Sequence, residues 1–231
     1  LCVHKNLNLA KLELENFRSY RQNEFDFNPQ GCLIIGPNGC GKTNLLEAIA
    51  YCSIGKSIRF HHDEELLNFE GQFFRVQSLF ISDQQTPKKV SLSYADQHKL
   101  LKIDELPIRQ LRSLFEVVKV IYCAPEDHLL ISGAPRFRRQ YFDLAVSQLY
   151  PPYINVLRHF LHIVQQRNAM LKRNYSRAEI TSWNLSFASS LAEVWNYRNR
   201  YLKQVNNAFQ ETFKDIFPAS TAISLAYIPS L

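Results

Sequence analysis

The sequence predicts an α/β fold in which a mixed sheet carries a phosphate-binding loop and a helical subdomain is inserted behind it. Three observations lead there. Gly36-Pro37-Asn38-Gly39-Cys40-Gly41-Lys42-Thr43 completes the pattern G-x-x-x-x-G-K-[ST], with an apolar run before it and a helical stripe after it. Apolar residues alternate with polar ones around Leu12, Leu14, Phe25 and Phe27, and again across residues 73–82, as half-buried strands require. From Pro135 onward the period changes to that of long helices.

At 231 residues, 46% of them hydrophobic, the chain is long enough to bury a sizeable core. No run approaches the ~18 apolar residues of a membrane span, and the first residues lack the order of a signal peptide. The five cysteines, Cys2, Cys32, Cys40, Cys52 and Cys123, form no C-x-x-C pair and have no flanking His to complete a zinc set. They read as reduced thiols of a cytoplasmic protein, with Cys40 a small tolerated side chain inside the loop. A net charge of +6 suits a polyanionic partner.

In order, two strands around Leu12–Leu14 and Phe25–Phe27 flank the loop Asn16-Phe17-Arg18-Ser19-Tyr20, and Asn28-Pro29-Gln30-Gly31 turns the chain. Cys32-Leu33-Ile34-Ile35 reads as a strand buried on both faces. Leu45, Leu46, Ile49 and Cys52 then recur at helical spacing. Residues 73–82 form a strand, 83–88 a hairpin turn, and 90–94 and 100–103 two further strands. A short helical piece at 108–114 precedes another apolar strand at 117–123, which ends at Ala124-Pro125-Glu126-Asp127. Asp127 there is open to two readings, a helix N-cap or a ligand for metal or water. Beyond Pro135, Ile154, Leu157, Leu161, Val164 and Leu171 mark one helix, and a second spans about 180–217, the two joined at 172–177 as an antiparallel hairpin. Pro218 stops it, and 222–228 reads as a strand returning to the first lobe. The expected domains are thus a nucleotide-binding lobe with the phosphate loop and antiparallel strands over 1–134, a helical subdomain over 135–217 and the start of a return strand over 218–231.

The loop carries most of the chemistry. Gly36 and Gly41 allow backbone conformations that turn successive N–H groups inward around a phosphate, at a helix N-terminus that favours anions. Lys42 reaches the β- and γ-phosphates, and the Thr43 hydroxyl takes a place on Mg²⁺. Arg136, Arg138 and Arg139, with Arg158, Arg167, Lys172 and Arg173 further on, are candidates for a nucleic-acid backbone. No N-K-x-D or T-K-x-D element for guanine is present, which argues against a GTPase. Two other classes stay open: a soluble kinase acting on a small metabolite, with Arg136 and Arg138 as lid arginines, and an interaction scaffold that nucleotide only stabilises.

Several segments together resemble the N-terminal part of the RecF family of bacterial DNA repair proteins. They are Leu14-Glu15-Asn16-Phe17-Arg18-Ser19-Tyr20, the loop continued as Asn44-Leu45-Leu46-Glu47-Ala48-Ile49, and Gly55-Lys56-Ser57-Ile58-Arg59. Pro125-Glu126-Asp127, Gly133-Ala134-Pro135, Arg138-Arg139, Phe142-Asp143 and residues 166–172 follow the same likeness. The resemblance implies a P-loop NTPase head of the ABC kind found in chromosome-maintenance (SMC) proteins, with an inserted helical lobe. It implies ATP and Mg²⁺ as cofactors, and a homodimer that closes on ATP around double-stranded DNA or a single-strand/double-strand junction. By the same likeness such a protein works with a RecR partner to help RecA onto DNA in gap repair, at replication forks and in the SOS response, as a weak DNA-dependent ATPase. Arg18 is, by that likeness, a contact for the nucleotide phosphates.

A RecF protein is also expected to carry a later signature motif and a strand ending in paired acidic residues, and neither occurs before Leu231. Ile131-Ser132-Gly133 is only faintly similar to the former and belongs to the earlier Pro-Glu-Asp segment. With a first residue other than Met, the expectation is a fragment or partly covered chain. Such a chain binds nucleotide weakly at most and hydrolyses it inefficiently, because positioning and charge stabilisation supply most of phosphoryl-transfer catalysis.

Overall fold

The computed structural model describes residues 7–58, 62–173, 176–218 and 223–228. Arg59, which closes the segment begun at Gly55, lies outside them. The chain divides into two compact units, Leu1–Cys123 and Ala124–Leu231.

The first unit is organised by one antiparallel sheet. Strands β1 (Leu7–Phe17), β2 (Tyr20–Asp26), β3 (Phe73–Ser82), β4 (Pro87–Ala95), β5 (His98–Ile103) and β6 (Leu106–Ile108) lie in the order β2-β1-β3-β4-β5-β6. Alternation sets the register: Leu12 faces Phe25 across β1–β2, and Val76 faces Leu92 across β3–β4, so one face is largely apolar, with Ser78 opposite Leu12 a buried polar residue on it. Helix α1 (Lys42–Ile54) lies on that face. Leu12, Leu14, Phe17, Phe74, Val76 and Leu92 are buried together with Leu45, Ala48, Tyr51 and Cys52 of the helix. Each large apolar side chain so buried contributes about 1.5–3 kcal/mol. Two-residue turns with left-handed backbone, Asp96-Gln97 and Asp104-Glu105, join β4 to β5 and β5 to β6.

Two expected strands are not formed. Cys32-Leu33-Ile34-Ile35 has no strand assignment, and Leu33 and Ile35 are 83% and 82% exposed. Residues 118–123 likewise stay outside the sheet, with Ile121 89% exposed, while Val117 closes helix α2 (Leu111–Val117). The physical reason is shared: a strand apolar on both faces needs a neighbour on each side, and neither run pairs with any strand of the sheet among the described residues. The helix expected at 108–114 starts later, because Ile108 pairs with Leu101 in β6.

The second unit is helical. A 3₁₀ turn (Pro125–His128) and the single turn α3 (Leu129–Ser132) precede α4 (Pro135–Leu149), α5 (Tyr153–Leu171) and α6 (Arg177–Ile216). At 40 residues, α6 is about 60 Å long. Its start is fixed by a capping box, in which Ser176 Oγ accepts from the Glu179 N–H (3.2 Å) and Glu179 Oε2 from the Ser176 N–H (2.8 Å). Val146, Tyr153 and Val194 form the core where α4, α5 and α6 meet. A buried charge network crosses it. Arg198 donates from Nη2 (2.7 Å) and Nε (3.1 Å) to Asp143 Oδ1, which also accepts from the Tyr153 hydroxyl (2.6 Å).

No return strand is formed over residues 223–228. Asn206 takes both polar groups of Leu225, its Oδ1 and Nδ2 each 2.8 Å from the backbone N and O, and Arg198 Nη1 donates to the Tyr227 hydroxyl at 2.7 Å. Backbone groups tied to a helix in this way cannot pair with a strand.

Candidate nucleotide site

The phosphate loop ends where α1 begins. Gly41 is the N-cap residue, with φ +98°, and Gly39 has φ +83°, so these two glycines supply the left-handed backbone. Gly36 does not share it. Its need for a missing side chain is steric instead, because a Cβ there would lie 2.8 Å from Cys40 Sγ. Lys42 folds across its own loop, Nζ donating to the carbonyl oxygens of Gly36 and Pro37 at 2.7 Å each, with Cys40 Sγ at 3.9 Å. The ammonium is thereby held over the loop's mouth. Thr43 is exposed in the first helical turn, beside N–H groups that have no partner within the helix.

The turn between β1 and β2 packs directly on this loop. Asn44 Nδ2 donates to Ser19 Oγ at 3.0 Å, and the Tyr20 hydroxyl donates to the Gly41 carbonyl at 3.1 Å. Burial, reinforced by the Cys40 thiol nearby, pushes the Tyr20 phenol above its ordinary value, which keeps it a hydrogen-bond donor. A Cβ on Gly41 would meet Ser19 Oγ and the Tyr20 hydroxyl oxygen, both at 2.9 Å.

Arg18 sits in the same turn but faces elsewhere. Its Nη1 donates to the Glu65 carbonyl at 2.6 Å, and its Nε lies 3.6 Å from Glu47 Oε2. Glu47 is fully buried on α1, and its Oε1 accepts from Ser57 Oγ at 2.7 Å. Sequence reading placed Glu47, Ser19, Tyr20 and Asn44 in the family-like segments but gave them no role in the site. A carboxylate in a helix ordinarily reads as solvent-facing, and only the fact that α1 is enclosed on most of its circumference reverses that.

The basic candidates of the second unit separate into two kinds. Arg138 Nη1 is taken by the carbonyls of Leu130 (3.2 Å), Ile131 (3.4 Å) and Gly133 (3.0 Å), closing the end of α3. Arg167 donates from Nε to Asn184 Oδ1 at 3.1 Å and lies over the Phe187 ring. Arg136 is exposed against the Phe137 ring, and Arg139, Arg158, Lys172 and Arg173 are exposed. Asp127 Oδ2 accepts from the Ala124 N–H at 2.9 Å, the geometry of a cap. Among the described residues no helix is long and apolar enough to cross a membrane, and no group of three or more His, Cys, Asp or Glu is arranged for a metal.

With this geometry in hand, comparisons with known proteins agree on one kind of molecule. A family model described as an AAA domain matches residues 11–220. The DNA replication and repair protein RecF of Desulfitobacterium hafniense is 30% identical over 221 residues, covering 94% of this chain and 60% of that protein. The chain thus spans about 60% of the length of the RecF relative it matches. Among solved structures, the recombination mediator protein RecF with ATPγS superposes with a TM-score of 0.85 at 26% identity, over 93% of this chain and 59% of the other. An SMC ATPase, from work on ATP-driven dimerization and DNA-stimulated activation, shares the fold at a TM-score of 0.50 and 19% identity. It covers 60% of this chain and 99% of that one. The resemblance read from the motifs is borne out, and so is the P-loop NTPase fold class.

Proposed function

We propose, for a chain that belongs to the AAA domain family over residues 11–220, that it binds ATP and acts on DNA in replication and recombinational repair. The observation that carries this is the loop itself: left-handed Gly39 and Gly41, Lys42 folded over the mouth, and an exposed Thr43 at the start of α1. An ATP triphosphate matches that arrangement of amides, ammonium and hydroxyl. Mg²⁺ fits too: the Thr43 hydroxyl, a hard oxygen donor, would help hold it, and the ion would supply charge neutralisation for the phosphates. A homodimer closing on ATP around duplex DNA, a RecR-type partner, help to RecA and a cytoplasmic location belong to the same proposal, supported by the likeness to RecF proteins.

The second unit supports the DNA part through charge. Between Pro135 and Ala192 stand eight Lys and Arg against two carboxylates, a surplus of six that equals the net charge of the whole chain. Both carboxylates are engaged internally, Asp143 with Arg198 and Glu179 with the Ser176 N–H. The exposed faces therefore present Arg139, Arg158, Lys172 and Arg177, with Arg173 partly neutralised by Glu179 at 3.9 Å. Arg138 and Arg167 are packed, so they contribute less to this surface than the sequence suggests, and a kinase lid would lose Arg138 in the same way.

The test is a titration of the intact protein with duplex DNA, with and without Mg-ATP. Affinity that rises with ATP and falls steeply with salt is expected. Turnover of a small phosphate acceptor in the absence of DNA, with no DNA affinity, would overturn the proposal in favour of a metabolite kinase.

A further inference from the structure

Resting on the nucleotide reading above, we infer that Arg18 and Glu47 are positioning residues that hold the phosphate loop in shape through the β1–β2 turn. In this inference Arg18 does not contact phosphate. The turn is strained and over-determined. Asn16 and Arg18 have φ of +50° and +53°, a region side-chain-bearing residues seldom adopt. Among the described residues, four contacts fix Arg18 there. Its N–H donates to the Leu66 carbonyl (2.8 Å), and its own carbonyl accepts from Asn68 Nδ2 (2.6 Å). Its guanidinium reaches the Glu65 carbonyl and the carboxylate of Glu47.

Glu47 is the keystone of this set. It is fully buried, so its charge is tolerable only while a cation and a donor face it, and Arg18 and Ser57 Oγ are those groups. The same carboxylate belongs to α1, the helix whose first turn ends the phosphate loop. An ion pair here ties the turn to the helix at Glu47, while Ser19 and Tyr20 tie it to Asn44 and Gly41.

That second tie orients a peptide. The Gly41 carbonyl accepts from both the Tyr20 hydroxyl and the Leu45 N–H (2.9 Å). In a planar trans peptide the Lys42 N–H then points the opposite way, out of the helix N-terminus toward the place a phosphate takes. Loosening the turn frees this peptide to rotate. Any phosphate chain loses from that, whatever its length.

Direct contact and positioning give different results by calorimetric titration of ATP and ADP into wild type, Arg18→Gln, Glu47→Gln and the double variant. Positioning predicts that each single change weakens ATP and ADP by the same factor, about tenfold, and that the double is no weaker than the worse single. A loss for Arg18→Gln confined to ATP and additive with Glu47→Gln overturns the inference and makes Arg18 a phosphate contact. Unchanged affinity in both singles overturns it as well. Should either variant fail to fold, Tyr20→Phe carries the test, since it deletes one hydroxyl: an equal loss of several-fold for both nucleotides supports positioning, and no loss sinks it. A wild-type chain that binds neither nucleotide defeats the nucleotide reading itself, a separate outcome.

Discussion

Lys42 makes the first prediction, because among the described residues its ammonium interacts only with loop carbonyls and a thiol that lie where phosphate oxygens are to be placed. Replacing it by Ala should cost less than ~1 kcal/mol of stability without nucleotide, as exposed polar contacts do. In Mg-ATP at about 100 times the dissociation constant, wild type gains roughly 2.7 kcal/mol, and the variant should lose nearly all of it. Scanning calorimetry with and without Mg-ATP reads both. Cys52 makes a second prediction of another kind. Burial pushes its thiol from 9.0 up to about 12, the Ser78 hydrogen bond pulling the other way. Above pH 9 the unfolded chain releases this proton and the native chain keeps it, so the native state binds more protons and stability falls as pH rises toward 12. Below pH 9 the contribution is fully present. The loss is about 1.4 kcal/mol per pH unit, so the stability gap between wild type and Cys52→Ala should be constant up to pH 9 and narrow above it. Denaturant melts at pH 7.5, 9.5 and 10.5 decide this, and a gap that widens contradicts it. Lys42 was legible in sequence because its neighbours in the chain are its neighbours in space. Glu47 was not, since its burial depends on a turn nearly thirty residues upstream.

Elements whose partners are close in sequence were the legible ones. β1, β2, β3, β4 and β5 fall where alternation places them, and the long hairpin of α5 and α6 follows the helical period. What alternation cannot say is whether a strand finds neighbours, and the apolar runs at 32–35 and 118–123 show that gap. Nor did the helical period reveal what fastens α4, α5 and α6 together, because Asp143 and Arg198 are polar residues within otherwise apolar stripes. Arg198 is 8% exposed and Asp143 is its carboxylate partner at 2.7 Å. Removing one partner leaves a buried charge, so Arg198→Met should destabilise the helical unit by about 3–5 kcal/mol. Pairing it with Asp143→Leu should recover much of that loss, since two apolar side chains leave no orphaned charge. Urea unfolding of the two single variants and the double forms a cycle, and a double variant as unstable as the sum of the singles would contradict the account.

Across the whole chain, the charge is divided unevenly. Residues 135–192 hold the entire surplus of six, while everything outside that segment is balanced between Lys or Arg and Asp or Glu. An even spread would act only as a diffuse attraction, but a surplus confined to one segment makes a footprint that can be removed without touching the phosphate loop. Arg158, Lys172, Arg173 and Arg177 are the residues to change, because they are exposed, and the contact Arg173 makes with the capping Glu179 is a long 3.9 Å ion pair between exposed side chains, unlike the carbonyl contacts of Arg138. Each phosphate neutralised releases counterions and contributes about 0.9 to the slope of log affinity against log salt. If all four reach phosphates, replacing them with Gln should flatten that slope by about 3–4 and weaken duplex binding at moderate salt by orders of magnitude. ATP affinity should stay within about twofold of wild type, because the loop, Tyr20 and Glu47 are untouched. The comparison is informative in both directions. A slope unchanged in the quadruple variant moves the DNA footprint away from the helical hairpin, whereas a flattened slope with ATP affinity intact separates the surface that grips DNA from the site that binds nucleotide.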